Sequence, residues 1–265
     1  MAESSGSFYK IIRRTDDPLQ DLDDPVCIDT ASREFADMRF LHGISDRICP
    51  PERNERACIV YPLLSGPDMR EVLLDKRARA QHESCLREAM ELLARLHQRA
   101  DGLAQYPVKD YRCDSFVLPD PGTSERMKER KRTLVVTGFE ARNFRFDAGK
   151  AAWFFFDPHH LWQGLPEEDF ARFLISLLMI KGRRRGFRPW KDFDRSELLA
   201  MYEESAPTKL DAKLLNYFLH EQLAKRRFHA MKAIPRMGPP AGAFVRTYTD
   251  WYYRRLQGAL ESQKF

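Results

Sequence analysis

No run of 18 apolar residues occurs in this chain, so a membrane-spanning helix is not expected. The first residues, MAESSGSFYKIIRR, have neither an apolar centre nor a small-residue cleavage site, and they do not read as a secretory signal. Cysteine is sparse. The five stand at 27, 49, 58, 85 and 113, with no C-x-x-C spacing. A disulfide framework or a zinc site is therefore not expected, and a reduced, cytoplasmic setting is. No internal repeat is apparent, which argues against a solenoid or propeller. Glycine is scarce near the start: a single one precedes Lys10.

What is present suits a chain with a sizeable core. The 265 residues fit one large domain or two lobes, and 18 phenylalanines supply bulk for the interior. The net charge of +5 is locally concentrated. Lys128, Arg130, Lys131 and Arg132 form one basic run, and Lys181, Arg183, Arg184, Arg185, Arg188 and Lys191 form another. Such runs favour anionic ligands or a membrane surface, or simply make a solvated face. No nucleic-acid-binding motif accompanies them, so specific nucleic-acid binding is not expected.

In chain order, Phe8–Arg14 reads as a strand carrying Lys10. Thr15 to Pro25, rich in Asp with two Pro, reads as an exposed loop. A helix capped by Asp29 or Thr30 is expected from about Ala31 to His42, with Phe35, Met38 and Leu41 on one face and Glu34 in its first turn. Ala57–Leu64 is a buried-strand run that ends at Ser65-Gly66-Pro67, where Gly66 permits a turn. His82–Ala100 is amphipathic through Leu86, Met90, Leu93 and Leu96. His97 on that helix reads as structural rather than catalytic. Asp101–Arg132 is Pro- and charge-rich and reads as an insertion or linker. Helices are expected near 167–178, 196–204, 211–231 and 245–261, with Phe228, Tyr248, Trp251, Tyr252 and Leu256 among the apolar positions of the last two.

The stretch Leu134 to Phe170 carries the chemistry. Apolar runs LVV and WFFF flank a polar turn and a Gly-containing hairpin, and Asp157 follows the second run. This order resembles the catalytic segment of the kinase-like phosphotransferases, the superfamily of aminoglycoside phosphotransferases, choline kinases and protein kinases. Asn143 matches the Asn of their His-x-Asp-x4-Asn motif, and Asp157 matches the metal-binding Asp. The motif is degenerate. Gly138 stands where the catalytic Asp belongs, and Val136 where the His belongs. The cadence DPHHLW before an acidic, Phe-rich helix is most similar to the lipopolysaccharide-core kinases.

The resemblance implies an α+β, two-lobed, protein-kinase-like fold. Its shortened amino-terminal lobe and hinge would span residues 1–66, and its mainly helical lobe residues 67–265. It implies that Lys10 and Glu34 pair beside nucleotide phosphates, that Tyr61 and Leu63 lie at the adenine-reading hinge, and that Asn143 and Asp157 hold Mg²⁺ through oxygen. It implies that Asp169 braces the catalytic loop, where the residues alone suggest only a favourable helix N-terminal charge. ATP and Mg²⁺ are the cofactors it suggests. The nine residues before Lys10 leave no room for the family's Gly-rich flap. Asp157, His159 and His160 leave a His/carboxylate metal site open as another reading. The functional expectation is a pseudokinase acting by binding or regulation on a protein partner. One alternative is an active phosphotransferase using Glu140 as a relocated carboxylate on a small-molecule or lipopolysaccharide-type acceptor. A further alternative is a helical interaction protein for an acidic partner.

Overall fold

The computed structural model describes residues 6–15, 17–99, 102–180, 195–234 and 241–262. The second basic run, 181–191, lies outside them. Strand β1 (Ser7–Ile11) pairs antiparallel with β3 (Cys58–Pro62), which also pairs with the short β2 (Arg53–Glu55). The sheet order is β1-β3-β2, so β3 is central and its residues 58–61 are buried. That burial is why it reads in sequence as a continuous apolar run. β2, with charged Arg53 and Glu55, gave no such signal.

Two helices precede β2: α1 (Pro18–Leu22) and α2 (Pro25–Ile44). The loop expected over 15–25 is thus partly helical, and α2 begins well before Ala31. The reason is local. The Asp24 side chain accepts the N–H groups of Val26 (2.8 Å) and Cys27 (3.1 Å), and Pro25 occupies the first turn. Proline there has no N–H to leave unsatisfied. Glu34 accordingly sits mid-helix and is buried among Ala31, Met38 and Leu41.

After β3 come α3 (Met69–Leu74), closed by an Asp68/Glu71 capping box, and α4 (Arg79–Gln98). Gly66 serves here by close approach. A Cβ on it would lie 2.3 Å from the Phe146 carbonyl oxygen, which the Gly66 N–H itself contacts at 3.0 Å. The segment read as a linker contains α5 (Pro121–Glu129), capped by Asp120, and its 107–109 portion is hydrogen-bonded to Gln163. Then β4 (Thr133–Val136) pairs with β7 (Leu161–Gly164), and β5 (Phe144–Asp147) pairs with β6 (Ala152–Phe155). β7 was not expected from sequence. It is short and polar at Gln163, and it exists because β4 supplies its ladder. β6 is joined to the first part of the chain through Phe155, whose N–H reaches the Arg47 carbonyl and whose carbonyl takes the Cys49 N–H, both at 2.9 Å.

Helix α6 (Pro166–Leu178) is the hub, with all thirteen residues buried. Phe139, Phe144, Phe155 and Phe173 pack around its inner face with ring centroids 5.1–6.0 Å apart. Helices α7 (Arg195–Ser205), α8 (Ala212–Ala233) and α9 (Ala241–Ser262) complete the structure. Two expected core positions face solvent instead: Phe228 is 50% exposed and Trp251 45%. Tyr252 and Leu256 are buried as expected. All five cysteines are free. Burial pushes the Cys49 and Cys85 thiols up to about 12, so these thiols are not nucleophiles at neutral pH. Among the described residues no helix is long and apolar enough to cross a membrane.

Three consecutive acids open α6, and each is fully buried: Glu167, Glu168 and Asp169. Buried carboxylates persist only when paired. Glu167 meets Arg130 at 2.7 Å and the Asp211 N–H at 2.8 Å. Glu168 meets Lys109 at 2.6 Å, Arg172 at 2.9 Å and the Tyr111 hydroxyl at 3.0 Å. Replacing Glu168 with Ala would strand Lys109 as a buried cation and leave Arg172 with Asp169 at 3.6 Å. The expected loss is about 3–5 kcal/mol, read as a lowered urea midpoint at unchanged slope. A loss below about 1 kcal/mol, the scale of an exposed pair, would show that the pairing contributes little.

Candidate functional site

A strand cation, a helix acid and a loop acid meet in one place. Lys10 Nζ lies 2.6 Å from Glu34 Oε2 and 2.5 Å from Asp157 Oδ1. The register Lys10↔Ile59 turns the lysine toward α2, and Glu34 is presented from the buried face of that helix. Asp157 arrives from the end of β6 through a left-handed backbone, φ 61°. Burial works against the ammonium, but Asp157 and Glu34 outweigh it, and the Lys10 pKa lies above its ordinary value. Lysine here is a fixed cation.

The second half of the site is the loop from Val136 to Asn143. Helix α6 holds it at two points. Asp169 Oδ2 accepts the Val136 N–H at 2.7 Å, and Ser176 Oγ accepts the Ala141 N–H at 3.0 Å. Thr137 knits the loop to the segment after Asp157. Its N–H and hydroxyl both donate to the His160 carbonyl, and its carbonyl takes the His159 N–H at 2.8 Å. Asn143 is buried. Its Nδ2 donates to the carbonyls of Gly138 (2.8 Å) and Asp157 (3.3 Å), which leaves Oδ1 as its ligand oxygen. Asn143 and Asp157 are therefore adjacent, with one amide oxygen and one carboxylate as hard donors. A divalent ion would have to share or displace Lys10 at Asp157. Among the described residues no group of three His, Cys, Asp or Glu side chains could hold a metal.

Gly138 has φ 97°. A Cβ built there would stand 2.8 Å from the Asp157 carbonyl oxygen and 3.4 Å from both Asn143 Nδ2 and His159 Cδ2. The loop has closed over the place where a side chain would emerge. Glu140, two residues on, does not face Lys10. It is buried against Arg226 at 2.7 Å and Arg142 at 3.0 Å. Tyr61 is buried at the end of β3, and Leu63 is exposed. The Leu63 N–H donates to the Gly6 carbonyl at 2.9 Å, so it is not free to read a base. Leu64, next along, makes no such bond among the described residues.

Several contributors were not legible in sequence. Arg226 lies in the middle of α8, far from the loop in sequence, and no local pattern marks it as the partner of Glu140. His159 stands beside Gly138. Burial, with Lys10 adding to it, holds its pKa below the ordinary value although Asp157 opposes. His97 is buried, its Nδ1 2.8 Å from the Tyr202 hydroxyl and its Nε2 3.6 Å from Asp169. The basic run at 128–132 is not one patch. Lys128 pairs with Glu125, Arg130 turns inward to Glu167, and Arg132 donates to the Lys109 and Gln163 carbonyls.

The Glu140 carboxyl has a pH consequence. Burial alone would raise its pKa, but Arg226 and then Arg142 outweigh this, and it lies below the ordinary 4.5. A carboxyl depressed in the folded state stabilises it fully above the unfolded value. That stabilisation is lost as pH falls through the folded value. Glu140→Gln should therefore flatten the acid limb of the stability-against-pH curve below 4.5. Urea unfolding at stepped pH measures it, and an unchanged acid limb would refute the ion pairing.

No family model and no curated protein matches the chain. Solved structures do. A Ralstonia eutropha JMP134 protein assigned as an aminoglycoside phosphotransferase superposes with a TM-score of 0.57 at 16% identity, covering 84% of this chain and 82% of its own. APH(2″)-IIa, solved with gentamicin, gives 0.55 at 16% identity, covering 98% and 87%. An ethanolamine kinase from Plasmodium vivax gives 0.53 at 10% identity, covering 92% and 82%. With its mixed α+β elements and mainly helical carboxy-terminal part, the chain has the protein-kinase-like fold of the small-molecule phosphotransferases.

Proposed function

We propose that this protein is a pseudokinase: a kinase-like scaffold that acts by binding or regulation, with a nucleotide as the ligand of its Lys10 cleft. The observation that carries the reading is Gly138. Phosphoryl transfer needs a carboxylate that orients the attacking hydroxyl, and the resemblance places it at this position. The residue there has no side chain, and its backbone is positioned so that no L side chain fits without moving Asp157. The relocated-carboxylate alternative asks Glu140 to leave two arginines. That would put both guanidinium groups against an emptied, buried position.

Four side chains support a nucleotide as the ligand. Lys10 offers a fixed positive charge to phosphates, and Glu34 fixes its direction. Asp157 and the Asn143 amide oxygen are the groups that would hold Mg²⁺, which when bound would neutralise phosphate charge. These residues orient and bind; none of them supplies the missing base. The same Lys10–Glu34 pair favours the second reading, an ATP-dependent phosphotransferase acting on a small-molecule or lipopolysaccharide-type acceptor. A cytoplasmic setting fits the free, mostly buried cysteines.

A thermal-shift titration with ATP, with and without Mg²⁺, tests the ligand. Saturation at 100 times Kd should add about 2.7 kcal/mol of stability, and Lys10→Ala should remove the shift. No shift with either would leave a scaffold that binds no nucleotide. Turnover assays test the impairment. A positioned base contributes about 10²–10⁴-fold, so wild-type turnover against broad acceptor mixtures should be at background. Gly138→Asp should not rescue it, because left-handed backbone and close approach make the variant less stable by about 1–3 kcal/mol. Robust wild-type transfer that Glu140→Ala abolishes would overturn the proposal in favour of the second reading.

A further inference from the structure

We propose that the cleft between the turn at 110–112 and α5 is a binding site for a small phosphate monoester, separate from the Lys10 cleft. It is an open, shallow cleft with a cavity volume of about 80 Å³, which suits a small ligand seated at the surface rather than one fully enclosed. Its lining brings together Arg112, Lys128 and Arg132 with a single carboxylate, Asp110. Three cations against one acid leave the lining two charges positive. Asp110 is in addition turned to the backbone, accepting the Arg112 N–H at 2.9 Å.

One of these cations is built in. Arg132 Nη1 donates to the carbonyls of Lys109 (3.1 Å) and Gln163 (3.2 Å). Its guanidinium carbon stands 5.8 Å from the centre of the Tyr111 ring. Tyr111 is itself fixed, donating to Glu168 at 3.0 Å and accepting the Leu165 N–H at 2.8 Å. The arginine therefore cannot swing away, and Nε and Nη2 have no partner among the described residues. Arg112 and Lys128 are exposed at the rim and free to close on a ligand, although Lys128 leans on Glu125 at 2.8 Å. The buried Tyr111 and Met127 form an apolar floor.

This combination selects the ligand class. A guanidinium fork fits phosphate oxygens bidentately, and a phosphate monoester near neutral pH carries about −1.5 to −2 charges. The basic lining attracts that charge more strongly than the single charge of a simple carboxylate. The apolar floor takes the organic part of the ester. The site also explains how the 128–132 run is used: Arg130 is turned into the core, while Lys128 and Arg132 face the cleft.

The test uses the full chain with phenyl phosphate as probe and methionine-methyl NMR as readout, the Met127 signal being assigned with Met127→Leu. Phenyl phosphate should shift the Met127 methyl. Affinity should fall about tenfold or more in the Arg112→Ala/Lys128→Ala double variant and stay the same in Lys10→Ala. Both rim residues are exposed, so the double variant should fold, which its unchanged melting temperature would verify. Benzoate should bind at least about tenfold more weakly. Three results would each overturn the proposal: no Met127 shift up to about 10 mM probe, an unchanged affinity in the double variant, or loss of binding in Lys10→Ala. Benzoate binding as tight as phenyl phosphate would overturn the phosphate assignment.

Discussion

A single buried carboxylate decides where the central loop of this protein can be. Asp169 is fully buried in the first turn of α6, and its Oδ2 takes the Val136 N–H at 2.7 Å. A charge-assisted bond to a buried amide is strong and directional, and here it spans the step from β4 into the loop. Ser176, two turns further along the same helix, takes the Ala141 N–H. With α6 buried along its whole length, both anchors belong to the core, and they tie the loop to it at two points.

The cleft is set by a different device. Lys10 holds Glu34 and Asp157 together, and so ties the first sheet, α2 and the segment after β6. These elements are joined elsewhere by few polar links, of which Phe155 with Arg47 and Cys49 is the clearest. The lysine therefore has a structural part as well as a chemical one. A phosphate that competed for its ammonium, or a cation that competed for Asp157, would act on the joint between two halves of the fold. Binding and conformation are then coupled through the same three side chains, the form that regulatory ligands exploit.

Much of this was legible in sequence because it rests on local or periodic signals. The apolar run at 57–64 gave β3, and three- and four-residue spacings gave α4, α6, α8 and α9. The order Lys10, Glu34, Asn143, Asp157 fixed which residues to look for, and the structure brings them together. What escaped has physical reasons. Asp24 and Pro25 start α2 through a cap that an Asp-rich stretch disguises as a loop. β7 has little propensity of its own and is defined by its partner β4. The burial of Glu167 and Glu168 contradicts their composition and becomes intelligible only with Arg130, Lys109 and Arg172, which come from elsewhere in the chain. Leu63 was placed at the hinge for its backbone groups, and its N–H is taken by the carbonyl of Gly6, just before β1.

Gly138, which the sequence resemblance aligned with a carboxylate, is a position where the surrounding backbone matters as much as the side chain. From sequence alone, an acid could simply be placed there. The backbone at 138 is left-handed, the Asp157 carbonyl stands 2.8 Å from where a Cβ would be, and Asn143 donates to the Gly138 and Asp157 carbonyls. Thr137 and Val136 are hydrogen-bonded through their main chain on either side. The close approach of the Asp157 carbonyl is the contact that glycine admits. An acid at this position would displace that carbonyl, to which Asn143 is hydrogen-bonded. Glu140, two residues on, is paired with the largely buried Arg226 and with the half-exposed Arg142, so moving it would leave Arg226 without that partner. The polar groups of this site are largely satisfied by one another: Lys10 by Glu34 and Asp157, and the Asn143 amide N–H groups by two carbonyls.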